Sequence, residues 1–305
     1  MKKNRKNFSK RSLQQISMCI IPMLLVLVFN YFPMYGIIIA FKDYKYNLGI
    51  LGSEWVGFEN FKVLVLSNDF ARVTWNTIYL NALMIVVGII AAVLLAVLLY
   101  EITSRRATKV YQTVLITPNF LSWVVVGYIA YALLNPNYGF LNNTLESMGF
   151  NRIDWYSEAE YWPVILLIFF IWKNVGMDSI IYYASLMGVD SSLFEAAEID
   201  GANKRQIIRY IMIPSLAPIV TVMFILKVGN IFRADFGLFY QLTRDVGALY
   251  STTDVIDTYL YRTMRVVGDM GLSSAIGLLQ SIVGMITVLV ANTIAKKIDP
   301  ERGLF

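Results

Sequence analysis

Histidine is absent from the 305 residues, and cysteine occurs once, at Cys19. The first absence removes the commonest general base and the commonest metal ligand. The second excludes an intramolecular disulfide and a thiolate metal cluster. Charge is scarce too: Asp, Glu, Lys and Arg make up 15% of the chain against 57% apolar residues, where globular domains carry roughly 25% and 45–50%. With a mean hydropathy of +0.57, the composition fits a polytopic membrane protein and not a water-soluble domain. No Gly-x-x-x-x-Gly-Lys-Ser/Thr stretch occurs, so no loop of that kind cradles nucleotide phosphates. Long repeats and low-complexity segments are also missing.

What is present is a series of long apolar runs. A hydrocarbon core of roughly 30 Å needs about 20 such residues, and six stretches qualify: 17–40, 77–99, 113–134, 162–187, 216–240 and 272–295. The first follows the basic tail "MKKNRKNFSKR". It is too long for a signal-peptide core and lacks a small-x-small cleavage site, so residues 1–16 read as a tail and the run as a retained span. Basic residues gather at 2–11, at Arg105, Arg106 and Lys109, at Lys204, Arg205 and Arg209, and at Lys296, Lys297 and Arg302. That bias predicts both termini, including a C-terminal tail at 296–305, in the cytoplasm of a plasma-membrane protein. The net charge of +5 is spread beside the spans and not along one stripe, so a lipid bilayer explains it and nucleic acid does not. In the last outward loop, Val255, Ile256, Tyr259, Leu260 and Thr263 follow Asp254 at helical spacing, predicting a short amphipathic helix capped by that carboxylate.

One polar stretch interrupts the apolar chain on the cytoplasmic side: "FEAAEIDGANKRQIIRYIMIPSLAP", residues 194–218. Ser192 and Glu195 have the spacing of a capping box, Gly201 is placed to close the first helix, and a second helix is predicted from near Asn203. Pro214 is expected to stop or bend it where the chain enters the fifth span. Two readings remain open on these residues alone. The helix can lie in the headgroup layer with its cations on anionic lipid, or form a docking surface; the two acids and paired alanines at its start suit a close-packed protein partner better than lipid.

Glu195-Ala196-Ala197, three residues, Gly201, nine residues, Ile211, one residue, Ile213-Pro214 resembles the "EAA" loop of the permease subunits of binding-protein-dependent ABC importers. Ile213 stands where leucine is usual. The segments "DGA", "GMDSIIYYASLMGV", "DVIDTYLYR", "AIGLLQSIVG" and the terminal "N…KK…GLF" are similar to the branch that carries oligo- and polysaccharides. The resemblance implies an all-α, six-span permease of the type I importer kind without enzymatic activity or cofactor. It implies a coupling loop at 188–214, with Glu195, Ala196, Ala197, Asp200, Gly201 and Pro214 transmitting the closure of a cytoplasmic ATPase dimer. It further implies a second homologous permease, making a heterodimer, and an extracellular binding protein that delivers the sugar.

The intramembrane polar residues Lys173, Asn174, Asp178, Lys227, Asn230, Arg233 and Asp235 are costly in hydrocarbon and should face the bundle interior or water. Arg233 with Asp235, or Lys173 with Asp178, can pair structurally. Alternatively these groups, beside Trp172, Tyr182, Tyr183, Phe236 and Tyr240, line a saccharide path, since hydroxyls need hydrogen bonds and ring faces stack on aromatics. The cations would suit an acidic sugar if they are not spent on carboxylates. An ion-coupled secondary transporter half is the rival reading, though a cytoplasmic helix-turn-helix has no role there. A membrane enzyme would need a carboxylate pair, and no such spacing stands out.

Overall fold

The computed structural model describes residues 10–298. The basic residues at positions 2–6 and Arg302, which entered the orientation argument, lie outside the described residues, as does the terminal "GLF". The chain divides into two compact units, the first of residues up to 66 together with 263–278, the second of residues 67–262 and those from 279 onward.

In the first unit α1 (Lys10–Val26) runs on through a π turn, Leu27–Tyr31, and a 3-10 stretch, Phe32–Phe41, so the first apolar run is helical along its length. β1 (Lys42–Asp43), α2 (Gly49–Gly52), β2 (Glu54–Trp55) and α3 (Glu59–Leu66) follow. The two short strands pair antiparallel with Lys42 opposite Trp55. The loop between them closes on Lys42, whose ammonium donates to the carbonyls of Ile50 at 2.7 Å and Ser53 at 3.0 Å. Phe41 stacks on Trp55 at 5.8 Å and meets Phe58 edge-on at 5.4 Å. A lysine charge and an aromatic cluster thus order the loop after the first span.

The second unit holds α4 (Asn68–Tyr100), α5 (Arg105–Ile116), α6 (Trp123–Leu134), α7 (Phe140–Ser147), α8 (Trp162–Met187), α9 (Ser191–Ile199), α10 (Lys204–Ile207), α11 (Ile213–Val228), α12 (Phe236–Thr243), α13 (Tyr250–Thr253) and α14 (Ile256–Arg262). α15 (Met270–Ile298) begins in the first unit and belongs to the second from Leu279. Among the described residues five helices are long and apolar enough to cross a membrane: Ser17–Phe41, Asn68–Tyr100, Ala159–Met187, Lys204–Val228 and Met270–Ile294. A sixth results if Arg105–Phe120 and Trp123–Leu134, bent by 95° at their junction, form one span. The architecture is all-α, as expected.

Three expectations need correction. The run at 113–134 is not one straight helix: Pro118 opens a 3-10 turn, and Ser122 caps a new helix by accepting from the Val125 N–H. The run at 216–240 is not one span either. Its helix starts far earlier, at Lys204, and stops at Val228; Gly229 and Asn230 end it, and Asp235 starts α12 by accepting from the Gly237 and Leu238 N–H groups. Asp254, expected to cap the outer helix, is buried and accepts two bonds from Arg262 Nη2 at 2.7 Å, while the Val255 N–H is taken by Thr258 Oγ1. Val255 and Ile256 are buried, so this helix is packed inside its unit.

The core of the second unit lies where α4 meets α8. Leu80, Val126, Trp162, Leu166, Leu238 and Leu242 form one cluster, and Ala92, Ala96, Val175, Tyr182, Leu186, Met212 and Leu216 another. Between α5 and α8 the approach is so close that a Cβ on Gly176 would collide with the backbone carbonyl of Leu115. Backbone cannot yield as a side-chain tip can, so Gly176→Ala should destabilise the protein by about 1–3 kcal/mol. Gly36→Ala, where nothing lies within 4 Å, should stay within about 0.5 kcal/mol. Thermal midpoints of the two detergent-purified variants check this.

Candidate functional site

The polar stretch folds as a helical hairpin. Asp190, not Ser192, caps α9: its carboxylate accepts from the Ser192 N–H at 3.0 Å. That bond holds the Asp190 carboxyl below its ordinary pKa. The expected Ser192–Glu195 box is therefore absent, because the chain enters the helix two residues earlier and places Ser192 inside it. At the other end Gly201 has φ +79°; its N–H donates to the Glu198 carbonyl and that of Ala202 to Ala197. These two bonds make a Schellman closure, which favours glycine at its left-handed position. Asn203 then opens α10 with a true capping box, exchanging side-chain and backbone bonds with Gln206 at 3.0 and 2.7 Å.

Pro214 does not end the second helix. α10 passes through the π turn Ile208–Met212 directly into α11, so one continuous helix runs from Lys204 to Val228. The wider turn takes up the site where proline removes a donor and crowds the preceding carbonyls. Glu195, Ala196, Asp200, Gly201 and Pro214 are exposed and Ala197 partly so. Phe194 packs on Tyr100 at 5.6 Å, and Lys204 bridges to Glu101 at 3.0 Å, tying both helices to the end of α4.

The intramembrane polar residues do not pair as expected. Lys173 donates to the carbonyls of Asn119 at 2.8 Å and Pro118 at 3.5 Å, at the break between α5 and α6. Its ammonium lies 5.1 Å from the centre of the Trp123 ring, and the Trp123 indole donates to Asp235 at 2.7 Å. Carbonyls freed by the bend outcompete a carboxylate one turn along for the lysine. Asp178 is left to Lys227, at 2.8 Å across α8 and α11. Asn174 and Asn230 donate back into their own helices. Arg233 makes no ion pair with Asp235 among the described residues and borders a cavity of about 230 Å³ with Asn230, Gln280 and Ser281. Tyr182 is buried with no partner for its hydroxyl among the described residues, Tyr183 is half-buried, and Trp172 is exposed against Phe169. Phe236 stacks on Tyr240 at 4.9 Å, and both rings touch Tyr261.

The helical hairpin feeding a membrane span falls inside a stretch, residues 84–301, that matches the family of binding-protein-dependent transport system inner membrane components. This chain belongs to that family. The inner-membrane component is 36% identical over 283 residues to Protein LplB of Bacillus subtilis, covering 93% of this chain and 88% of LplB. It is 34% identical over 307 residues to the polygalacturonan/rhamnogalacturonan transport system permease protein YteP of the same organism, covering 100% and 95%. A crystal structure of a bacterial ABC transporter involved in the import of the acidic polysaccharide alginate superposes with a TM-score of 0.87 at 31% identity, over 95% of this chain and 97% of that one.

Several residues of this inner-membrane component that organise the site escaped the sequence reading. Residues 229–235 are not helical, and their polar groups are met from outside: Asn81 donates to the Ile231 carbonyl at 2.7 Å, Gln280 to Phe232 at 2.6 Å, and the Ala234 N–H donates to Asp257 at 2.7 Å. Burial raises the Asp257 carboxyl above its ordinary pKa, opposed by the bonds from Ala234 and Gln280. The available signal was one of isolation, since Asn81 and Gln280 are lone amides in otherwise apolar runs. The Asp178–Lys227 pair is half-screened, with side chains 23% and 29% exposed. Lys227→Met should therefore lower stability by about 1–3 kcal/mol by stranding the carboxylate. Adding Asp178→Asn should recover at least half of the loss, as read from thermal midpoints of the single and double variants.

Proposed function

We propose that this inner-membrane component is one of two permease halves of an ATP-driven importer that carries an oligosaccharide or polysaccharide fragment delivered by an extracellular binding protein. Residues 17–295 form its transmembrane domain, with the tails at 1–16 and 296–305 in the cytoplasm. The hairpin at 188–214 docks on a separate cytoplasmic ATPase dimer, and a second homologous permease completes the path. Within this reading the exposed Glu195, Ala196, Ala197 and Asp200 meet the ATPase, Gly201 sets the angle between the two helices, and Pro214 lies where the lever enters the membrane. The observation that carries the proposal is the unbroken helix Lys204–Val228, because force applied at the hairpin reaches the bilayer without a hinge. The absence of a phosphate-cradling loop from the 305 residues supports placing ATP hydrolysis on a partner. The polysaccharides carried by YteP and by the alginate importer support a saccharide cargo; Trp172, Tyr183, Phe236 and Tyr240 are the aromatic groups offered to it, whereas Tyr182, named with them from sequence, is buried in the core.

Uptake of an oligogalacturonate into vesicles holding the complete complex tests the proposal. It should require both ATP and the binding protein; uptake driven by a proton or sodium gradient alone would instead support the secondary-transporter reading. Gly201→Ile forces a β-branched side chain into a left-handed conformation. It should reduce ATP-driven uptake tenfold or more in a complex that still assembles. Normal uptake with normal assembly would refute the lever.

A further inference from the structure

We infer that Arg244 and the tyrosines around it form a subsite for the carboxylate-bearing ring of an acidic saccharide. The inference rests on the saccharide reading above and narrows it to uronate-containing chains. Between α6 and α12 lies a cavity of about 200 Å³ bordered by Gly127, Tyr128, Tyr131, Tyr240, Gln241 and Arg244. That volume is below the roughly 300–1,000 Å³ of drug-sized ligand sites and matches recognition of a single ring in a longer chain. The three tyrosines and the Gln241 amide on its border are the side-chain types a pyranose needs, apolar ring surface for its ring and polar groups for its hydroxyls.

Charge decides the class. The guanidinium of Arg244 sits 4.1 Å from the centre of the Tyr131 ring, and no carboxylate pairs with it among the described residues. Its neighbour Asp245 is already committed to Arg262 at 2.8 Å and to the Tyr250 hydroxyl at 3.0 Å. A guanidinium stacked on a ring keeps its in-plane N–H fork for a carboxylate, which binds it bidentately. Arg244 and Asp245 both have positive φ, 56° and 53°, closing α12 in the left-handed conformation. Other cations named from sequence are differently employed: Lys173 on the Asn119 carbonyl and Lys227 on Asp178. The cavity beside Arg233 has Phe232 as its single aromatic ring. The aromatic surface at Arg244 extends further, since Tyr240 stacks on Phe236 and meets Tyr261, giving adjoining rings a place to lie.

The test uses the full complex with its binding protein in vesicles, offered an oligogalacturonate and its carboxyl-reduced, neutral counterpart. Arg244→Gln should lower oligogalacturonate uptake tenfold or more, with assembly and binding-protein affinity unchanged and neutral uptake within twofold of wild type. Arg244→Lys should retain part of the acidic uptake, and this contrast decides the matter if wild type carries only the acidic chain. The inference is overturned if Arg244→Gln keeps oligogalacturonate uptake within twofold, if both substrates fall equally, or if Arg244→Lys is as impaired as Arg244→Gln. A wild-type complex that carries only the neutral chain sinks the acidic subsite and leaves the saccharide reading standing. Uptake of neither chain removes that reading, and the subsite with it.

Discussion

The bond from Lys173 to the carbonyl of Asn119 expresses the constraint on which the second unit depends. In hydrocarbon every backbone N–H and C=O needs a protein partner, so non-helical chain persists only where side chains supply one. The unit has two such stretches, the 95° bend after Phe120 and the segment 229–235. The first is met by a lysine from α8. The second is met by an amide from α4, an amide from α15 and a carboxylate from α14. These breaks place Asp235 beside Trp123 and free α12 to pack against α6.

Satisfying the breaks also allocates the charges. Once Lys173 is committed to carbonyls, Asp178 turns to Lys227, and that pair links α8 to α11. A charge in this setting costs several kcal/mol unless paired, so each commitment restricts the rest. Arg262 absorbs both Asp254 and Asp245. Burial by itself would depress the Arg262 guanidinium, yet the hydrogen bonds and charge of Asp254 keep its pKa above the ordinary value. The guanidinium beside Tyr131 has no carboxylate partner among the described residues.

The class of fold was legible because it rests on composition and run length, which survive any detail of packing. The fourth span matches the helix Trp162–Met187 residue for residue, since Pro163 and Gly188 punctuate both ends. The closure at Gly201 and the helix start near Asn203 were readable for the same local reason, since both are decided within a few residues, whereas the capping box expected at Ser192 and Glu195 lies instead at Asn203 and Gln206. The fifth span was misread at both ends. Hydropathy sees an apolar run from 216 to 240 but cannot see that Asn81 and Gln280, far along the chain, make an unwound segment affordable at 229–235. Ion pairs failed likewise: sequence proximity suggested Lys173 with Asp178, whereas the competing acceptors are 54 and 55 residues away.

The π turn at Ile208–Met212 shows how one local irregularity serves a long-range purpose. A proline inside a helix ordinarily costs about 3 kcal/mol or more and kinks it, and a kink at Pro214 would turn the hairpin and the span into two bodies joined by a hinge. Widening the preceding turn removes the clash while keeping the chain helical. Met212 and Leu216 are then buried against Val175, Tyr182 and Leu186, so the helix is seated on α8 on both sides of the proline. With Phe194 on Tyr100 and Lys204 on Glu101, the hairpin is also fixed to the end of α4. Motion of the hairpin must therefore be shared by α4, α8 and α11 together, and the Lys227–Asp178 bond near the far end of the same helix ties that motion to the polar interior.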